Sequence, residues 1–184
     1  MKNKINFKIV GSGPTGLLLS IVLSRYDCNI FLTDLLSRDK LIHKDKTYAI
    51  THSTKEILFK FRLWKKLEPF LFGFDTLSIS DSVTSAFTNL TIDDLDDDIR
   101  SAQNIGWVIK HSDLMNVFFR EIDNYDNIFF MKPQKLYTKK ILFDYQFFST
   151  GANSFDKKLF HFIDLKKNYD QSCLTFKVSL RGNS

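Results

Sequence analysis

Apolar and polar positions alternate in recognisable periods along the first third of the chain. Phe7 to Val10 is a short apolar run after a polar start, which predicts a buried strand of a parallel sheet. From Leu17 to Arg25 the period lengthens to that of a helix. Leu17, Ile21 and Ser24 fall on one face, and Leu18, Val22 and Arg25 on the next. Tyr26 to Asn29 predicts a turn, and Ile30 to Leu32 a second apolar strand that ends at Asp34. Strand, helix and strand in little over 30 residues make one βαβ unit.

The rest of the chain continues in similar pieces. The segment 45–69, DKTYAITHSTKEILFKFRLWKKLEP, predicts a loop and then a helix. Ser53 is the expected N-cap with Glu56 three residues on, and Ile57, Leu58, Phe61, Leu63, Trp64 and Leu67 are the expected apolar face. DTLSISDSVTSAFTNLTI, 75–92, alternates in two short runs about a Ser-rich turn and predicts a β-hairpin. DDLDDDIRSAQN predicts a solvated loop. IGWVIKHSDLMNVFFREI, 105–122, predicts a strand, a break, and an amphipathic helix from about Ser112 that buries Leu114, Val117, Phe118 and Ile122. NIFFMKP and KLYTKKILFDYQFFSTGANS predict further strands of one sheet.

Between the first strand and first helix lies GSGPTG, residues 11–16. Each glycine has a mechanical role in a nucleotide-binding turn. Gly11 permits the tight strand-to-helix turn, Gly13 lets backbone approach a pyrophosphate, and Gly16 lets the helix pack closely on the strand. The phosphates would sit among Ser12, Gly13, Pro14 and Thr15 at the helix N-terminus, where unpaired N–H groups and the helix dipole favour negative charge. Asp34, at the end of the next strand, would accept hydrogen bonds from ribose hydroxyls. An acid there favours a free 2′-hydroxyl, hence FAD or NAD over NADP. The competing reading is a glycine turn without a ligand.

Bulk properties narrow the classes. The chain has 184 residues, enough for one domain and a small appendage. Hydrophobic residues make up 43% of it, which supports a packed core. Net charge is +5, from 26 basic and 21 acidic residues, and the lysines are scattered, which argues against a nucleic-acid face. Cys28 and Cys173 lie far apart, with no C-x-x-C pair, so reduced thiols and a cytoplasmic location are expected. The aspartates of the 93–98 run have no EF-hand spacing, so no metal site is expected. LLLSIVL is too short to span a bilayer, is interrupted upstream by the glycines and has no A-x-A-like cleavage site after it. Neither an export signal nor an anchor is expected.

G-x-G-P-x-G-L, followed by a helix and an acid-ended strand, resembles the flavoprotein hydroxylases of the p-hydroxybenzoate hydroxylase type. Pro14 and Leu17 fit that FAD group better than the NAD dehydrogenases. The segment 45–69 resembles the ubiquinone-biosynthesis branch of the family. There an Arg-containing loop leads to an A-L-S turn, a helix and a G-L-W-x-x-L end. Here Ala49-Ile50-Thr51 stands for the turn, Phe61-Arg62-Leu63-Trp64-Lys65-Lys66-Leu67 for the helix end, and Lys46 for the arginine near the flavin. Lys keeps the charge but not the planar fork. The family's G-Y-V-V-E-N-x-x-L stretch places His111 toward the flavin's ribityl chain. In FFSTGANS, Thr150 occupies the aspartate position of a G-A-D-G-x-x-S motif, with Gly151 and Ser154 matching, and Lys157 is the nearest cation to the expected arginine.

The resemblance implies an α/β fold: a Rossmann-like FAD-binding domain of three layers, ββα, with the beginnings of an inserted β-sheet substrate domain. The FAD-binding domain would comprise 1–72 and 105–168, and 73–104 with 169–184 would supply substrate-domain strands. Only the N-terminal portion of the family is covered, so a C-terminally truncated form without the second FAD motif is expected. The implied activity is hydroxylation of an aromatic quinone precursor with FAD as cofactor, NAD(P)H as reductant and O₂. In that chemistry the cofactor performs the hard step and no side-chain nucleophile is needed. Partners would be a small aromatic or prenylated substrate, peripheral membrane contact through a lipophilic substrate, and a biosynthetic complex. The alternatives are a degenerate FAD-fold protein without catalysis and an NAD-binding oxidoreductase domain.

Overall fold

The structure is a computed structural model that describes residues 4–96, 103–132 and 141–151. The expected strand at 169–180, Ser154, Lys157, Cys173 and the 97–102 part of the acidic loop lie outside the described residues.

The first strand, β1 (Ile5–Val10), runs into helix α1 (Pro14–Leu23) and then β2 (Cys28–Thr33). β1 and β2 pair in parallel, with Phe7 opposite Ile30 and Ile9 opposite Leu32. β8 (Ile128–Met131) adds to β2 and β9 (Tyr145–Phe148) to β1, also in parallel. The sheet order is therefore β8-β2-β1-β9, and the two late apolar runs form its opposite edges. The predicted helix faces are realised. Leu17, Ile21 and Ser24 are buried, whereas Leu18 and Val22 are partly covered and Arg25 is exposed. Cys28 is a buried free thiol inside β2, where the expected turn would have ended. Burial raises its pKa, with the Asp27 charge adding to the effect.

Helix α5 (His111–Ile122) buries Leu114, Met115, Val117, Phe118, Phe119 and Ile122, and packs on α1. Leu17, Ile21, Ile9, Ile30 and Leu32 join these in one core, all five fully buried. Each such side chain contributes roughly 1.5–3 kcal/mol through the surface it removes from water. No break separates β7 (Gly106–Lys110) from α5, because His111 opens the helix directly and is itself buried.

β7 does not join the parallel sheet. It lies between β3 (Thr47–Ile50) and β4 (Phe72–Phe74) in a three-stranded antiparallel sheet. The expected Ala49-Ile50-Thr51 turn is thus the end of a strand followed by a helix cap. Helix α3 (His52–Lys60) is capped by Thr51, whose side chain accepts from the Thr54 N–H, not by Ser53. The short helix α2 (Arg38–Ile42) precedes this sheet. The predicted hairpin is present as β5 (Leu77–Ser80) paired with β6 (Phe87–Leu90), and all eight strand residues are exposed.

The single helix expected through Leu67 is two. α3 ends at Lys60, and α4 (Trp64–Leu67) follows after a reversal at Arg62, whose φ is +60°. The Arg62 N–H donates to the Phe59 carbonyl at 2.9 Å and the Leu63 N–H to the Leu58 carbonyl at 2.8 Å. This pair of bonds is a Schellman cap, in which the left-handed position favours glycine. The helix end that the segment resembles begins with glycine; here the position holds arginine. Leu58, Leu63, Trp64 and Leu67 are buried, while Ile57 points outward, 47% exposed. Trp64 meets Trp107 of β7 edge-on at 5.0 Å, which ties the helix pair to the antiparallel sheet.

Candidate functional site

The turn after β1 is held from both sides by strand ends. The Gly11 N–H donates to the Thr33 carbonyl at 2.8 Å, and the Ser149 N–H to the Val10 carbonyl at 2.8 Å. Ser149 Oγ donates to the Gly11 carbonyl at 2.7 Å. Ser149 was not among the residues that the sequence pointed to. Its signal is a lone hydroxyl at the end of β9, which acquires meaning only once β9 is known to pair with β1.

The three glycines differ in what they need. Gly11 has φ +102°, and a Cβ there would lie 2.5 Å from the Ser149 carbonyl oxygen. A Cβ on Gly16 would overlap the Gly11 carbonyl oxygen and come within 2.7 Å of Ser149 Oγ. Both glycines are required by the protein's own packing. Gly13 is not. Its backbone is extended, with φ −71° and ψ −177°, and a Cβ there meets nothing within 4 Å. Open space over Gly13 is what close approach of a ligand requires.

Gly13 caps the N-terminus of α1 without any side-chain bond, and the first turn carries no acid. Pro14 stands at the position where a missing N–H costs nothing. Thr15 is exposed at this end. Its N–H and that of Gly16 belong to the first turn, whose amides lack intrahelical acceptors. Ser12 is wholly buried, and its Oγ has no hydrogen-bond partner among the described residues. A buried hydroxyl without a partner beside a helix N-terminus suits a phosphate oxygen.

Asp34 follows β2 and closes the site. Its Oδ2 accepts from the Ser12 N–H at 2.8 Å and its Oδ1 from the Leu36 N–H at 2.9 Å. The carboxylate therefore shapes the glycine loop. An ionised carboxylate offers about four acceptor sites, so capacity for a ribose hydroxyl remains. The structure thus brings Gly11, Ser12, Gly13, Pro14, Thr15, Gly16 and Asp34 together.

Lys46 and His111 form a second cluster. The His111 N–H donates to the Lys46 carbonyl at 2.8 Å, and the Lys46 side chain is exposed. The imidazole is 2% exposed, with Nε2 2.7 Å from the Leu41 carbonyl and Nδ1 2.8 Å from Tyr48 Oη. A carbonyl only accepts, so Nε2 carries the proton and Nδ1 accepts from the tyrosine. Both ring nitrogens are therefore committed to protein partners, which join α2, β3 and α5. Burial lowers the His111 pKa, and the Lys44 and Lys46 charges lower it further, against the bond to Leu41. Burial raises the pKa of Tyr48. Thr150 and Gly151, the latter with φ +73°, lie just past Ser149 at the end of β9. Among the described residues, no cluster of His, Cys, Asp or Glu is suited to a metal ion. Nor is any helix long and apolar enough to cross a membrane.

No protein-family model and no curated protein sequence match the chain. Solved structures do. p-Nitrophenol 4-monooxygenase PnpA from Pseudomonas putida superposes with a TM-score of 0.57 at 15% identity, over 72% of this chain and 32% of that one. PqsL from Pseudomonas aeruginosa, described as a probable FAD-dependent monooxygenase, gives 0.55 at 12% identity, over 71% and 33%. The flavin-dependent monooxygenase PieE, solved with FAD and substrate, gives 0.52 at 13% identity, over 71% and 24%. The chain thus spans about a third or less of the length of these proteins. It has an α/β fold with a parallel sheet, shared with part of the flavin-dependent monooxygenases.

Proposed function

We propose that this chain is the FAD-cradling portion of a flavin-dependent monooxygenase acting on an aromatic ring. The observation that carries the reading is Gly13, a glycine that neither its backbone angles nor its neighbours require, placed at the N-terminus of α1 beside the unpartnered hydroxyl of Ser12. Amides of Gly13, Thr15 and Gly16 would hold the pyrophosphate, and Asp34 the adenosine ribose. When bound, FAD supplies the redox chemistry that activates O₂ for hydroxylation. The chain's own part is to fix the adenosine diphosphate half of the cofactor. Ser149 and Asp34 do this by locking the loop's shape before a ligand arrives.

NAD(P)H is the reductant in this reading, and the substrate is a quinone precursor of the kind handled by the ubiquinone-biosynthesis branch. The resemblance of residues 45–69 to that branch supports the substrate, and that of 147–154 to the family's strand end near the pyridine nucleotide supports the reductant. A lipophilic substrate of this kind accounts for the proposed peripheral membrane contact of a cytoplasmic protein within a biosynthetic complex, with no role for nucleic acid. A second reading, a degenerate protein that keeps the fold but binds FAD weakly or not at all, is favoured by Thr150 at the aspartate position and Lys46 at the arginine position. The two separate on purification. A flavin absorbance spectrum at near-stoichiometric occupancy is the result expected here. Colourless protein that fails to take up added FAD would sink the proposal.

A further inference from the structure

Away from the glycine loop, a cavity of about 520 Å³ is lined by Arg25, Phe61, Arg62, Lys66, Glu121 and Tyr125. Its charges are three cations against one anion. Glu121 is buried and already engaged: Lys66 Nζ pairs with Oε2, and Tyr125 Oη donates to Oε1 at 3.2 Å. Arg25 is fixed in place, donating from Nη2 to the Phe61 carbonyl at 2.8 Å and from Nη1 to the Lys60 carbonyl at 3.5 Å, and lying 4.7 Å over the Phe61 ring. Most of its five N–H donors remain unspent. The Arg62 side chain makes no hydrogen bond or ion pair among the described residues, yet the residue occupies a left-handed position that glycine would fill without strain. An arginine that carries a backbone cost and opens on a cationic cavity points to a use outside the fold.

We propose that this pocket binds a phosphate group, with Arg62 as the residue that completes the site. The surplus of two positive charges matches a phosphate dianion. The guanidinium forks of Arg25 and Arg62 offer paired donors of the geometry that phosphate oxygens accept. Phe61 and Tyr125 provide an aromatic wall for whatever the phosphate is attached to. The site is separate from the Gly11–Gly16 loop and stands whether or not that loop holds FAD.

The test is calorimetric titration of the full chain with inorganic phosphate and, separately, with phenyl phosphate. It is run in a Gly13→Val background so that the glycine loop cannot contribute. Saturable binding is expected, weakened about tenfold by Arg62→Gly and equally by Arg62→Gln, as removal of a charge-assisted contact to an anion implies. Stronger binding of phenyl phosphate assigns a phosphate ester, and equal binding assigns free phosphate. The Gly variant relieves the backbone and the Gln variant does not, so equal losses trace to the lost charge. Absence of saturable binding, unchanged binding in Arg62→Gly, or retention in Arg62→Gln would each overturn the proposal.

Discussion

Replacing Arg62 by glycine should stabilise the protein, although it removes a charged side chain from the edge of a cavity. Arg62 sits at φ +60°, between α3 and α4, and its N–H and that of Leu63 close the Schellman cap on Phe59 and Leu58. A non-glycine residue in the left-handed region costs roughly 1–2 kcal/mol. Glycine removes that strain but gives the unfolded chain extra freedom, worth roughly 0.5–1 kcal/mol. The side chain is exposed and bonded to no described residue, so little else is lost. The net gain is roughly 0–1.5 kcal/mol, a rise in melting temperature of up to about 6 °C for a domain of this size. Urea unfolding followed by circular dichroism should show a higher midpoint at unchanged slope. Arg62→Ala keeps the strain and should fall within ~0.5 kcal/mol of the parent. A glycine variant less stable than the parent would refute the reasoning, since it would mean that the arginine side chain holds the two helices together.

Three further outcomes follow from the same geometry. Gly16→Ala forces a methyl group onto the Gly11 carbonyl and Ser149 Oγ, and should cost about 1–3 kcal/mol in chemical denaturation; a neutral result would mean that the turn is looser than described. Asp34→Ala leaves the Ser12 and Leu36 amides without their acceptor, which should cost about 1–3 kcal/mol and weaken FAD binding together. His111 is held neutral with a lowered pKa, so the unfolded chain binds its proton more readily. Its contribution is therefore full above the unfolded value of about 6.5 and is lost as pH falls through the lower folded value. Stability curves of the parent and of His111→Gln should diverge across that acidic window, and parallel curves would remove His111 from the pH response.

Much of this was legible in the sequence because it rests on local rules. The βαβ unit follows from a change of hydrophobic period on either side of the glycines, and the buried face of α1 was read residue by residue. The hairpin followed from alternation, and the apolar face of α5 from helical spacing. The differences arise where distant contacts decide. Ala49 and Ile50 have no local mark that separates a turn from a strand; pairing with Val108 and Trp107 makes them β3. Arg62 carries no helix-ending residue signal, and burial of Leu58 and Leu63 on both sides of it forces the reversal. Within the site, the differing needs of the three glycines were legible from their places in the turn, whereas the neighbour that crowds two of them was not. Ser149, brought in by the pairing of β9 with β1, crowds Gly11 and adds to the Gly11 carbonyl's own crowding of Gly16, while Gly13 stays open. Asp34 reads as a ribose acceptor from its position, while its two bonds to backbone amides depend on the loop's curl.

Whether the open space over Gly13 is a dinucleotide cradle is decided by titrating FAD into the parent and Gly13→Val proteins while following flavin fluorescence. The extended backbone at Gly13 accepts valine and its Cβ meets nothing within 4 Å, so the substitution costs about 1 kcal/mol as a poorer helix cap. The variant should therefore remain folded, with a melting temperature lower by no more than roughly 4 °C. Saturable binding at one FAD per chain is expected for the parent, and loss of that binding in the folded variant. Equal FAD affinity in the two proteins would contradict it.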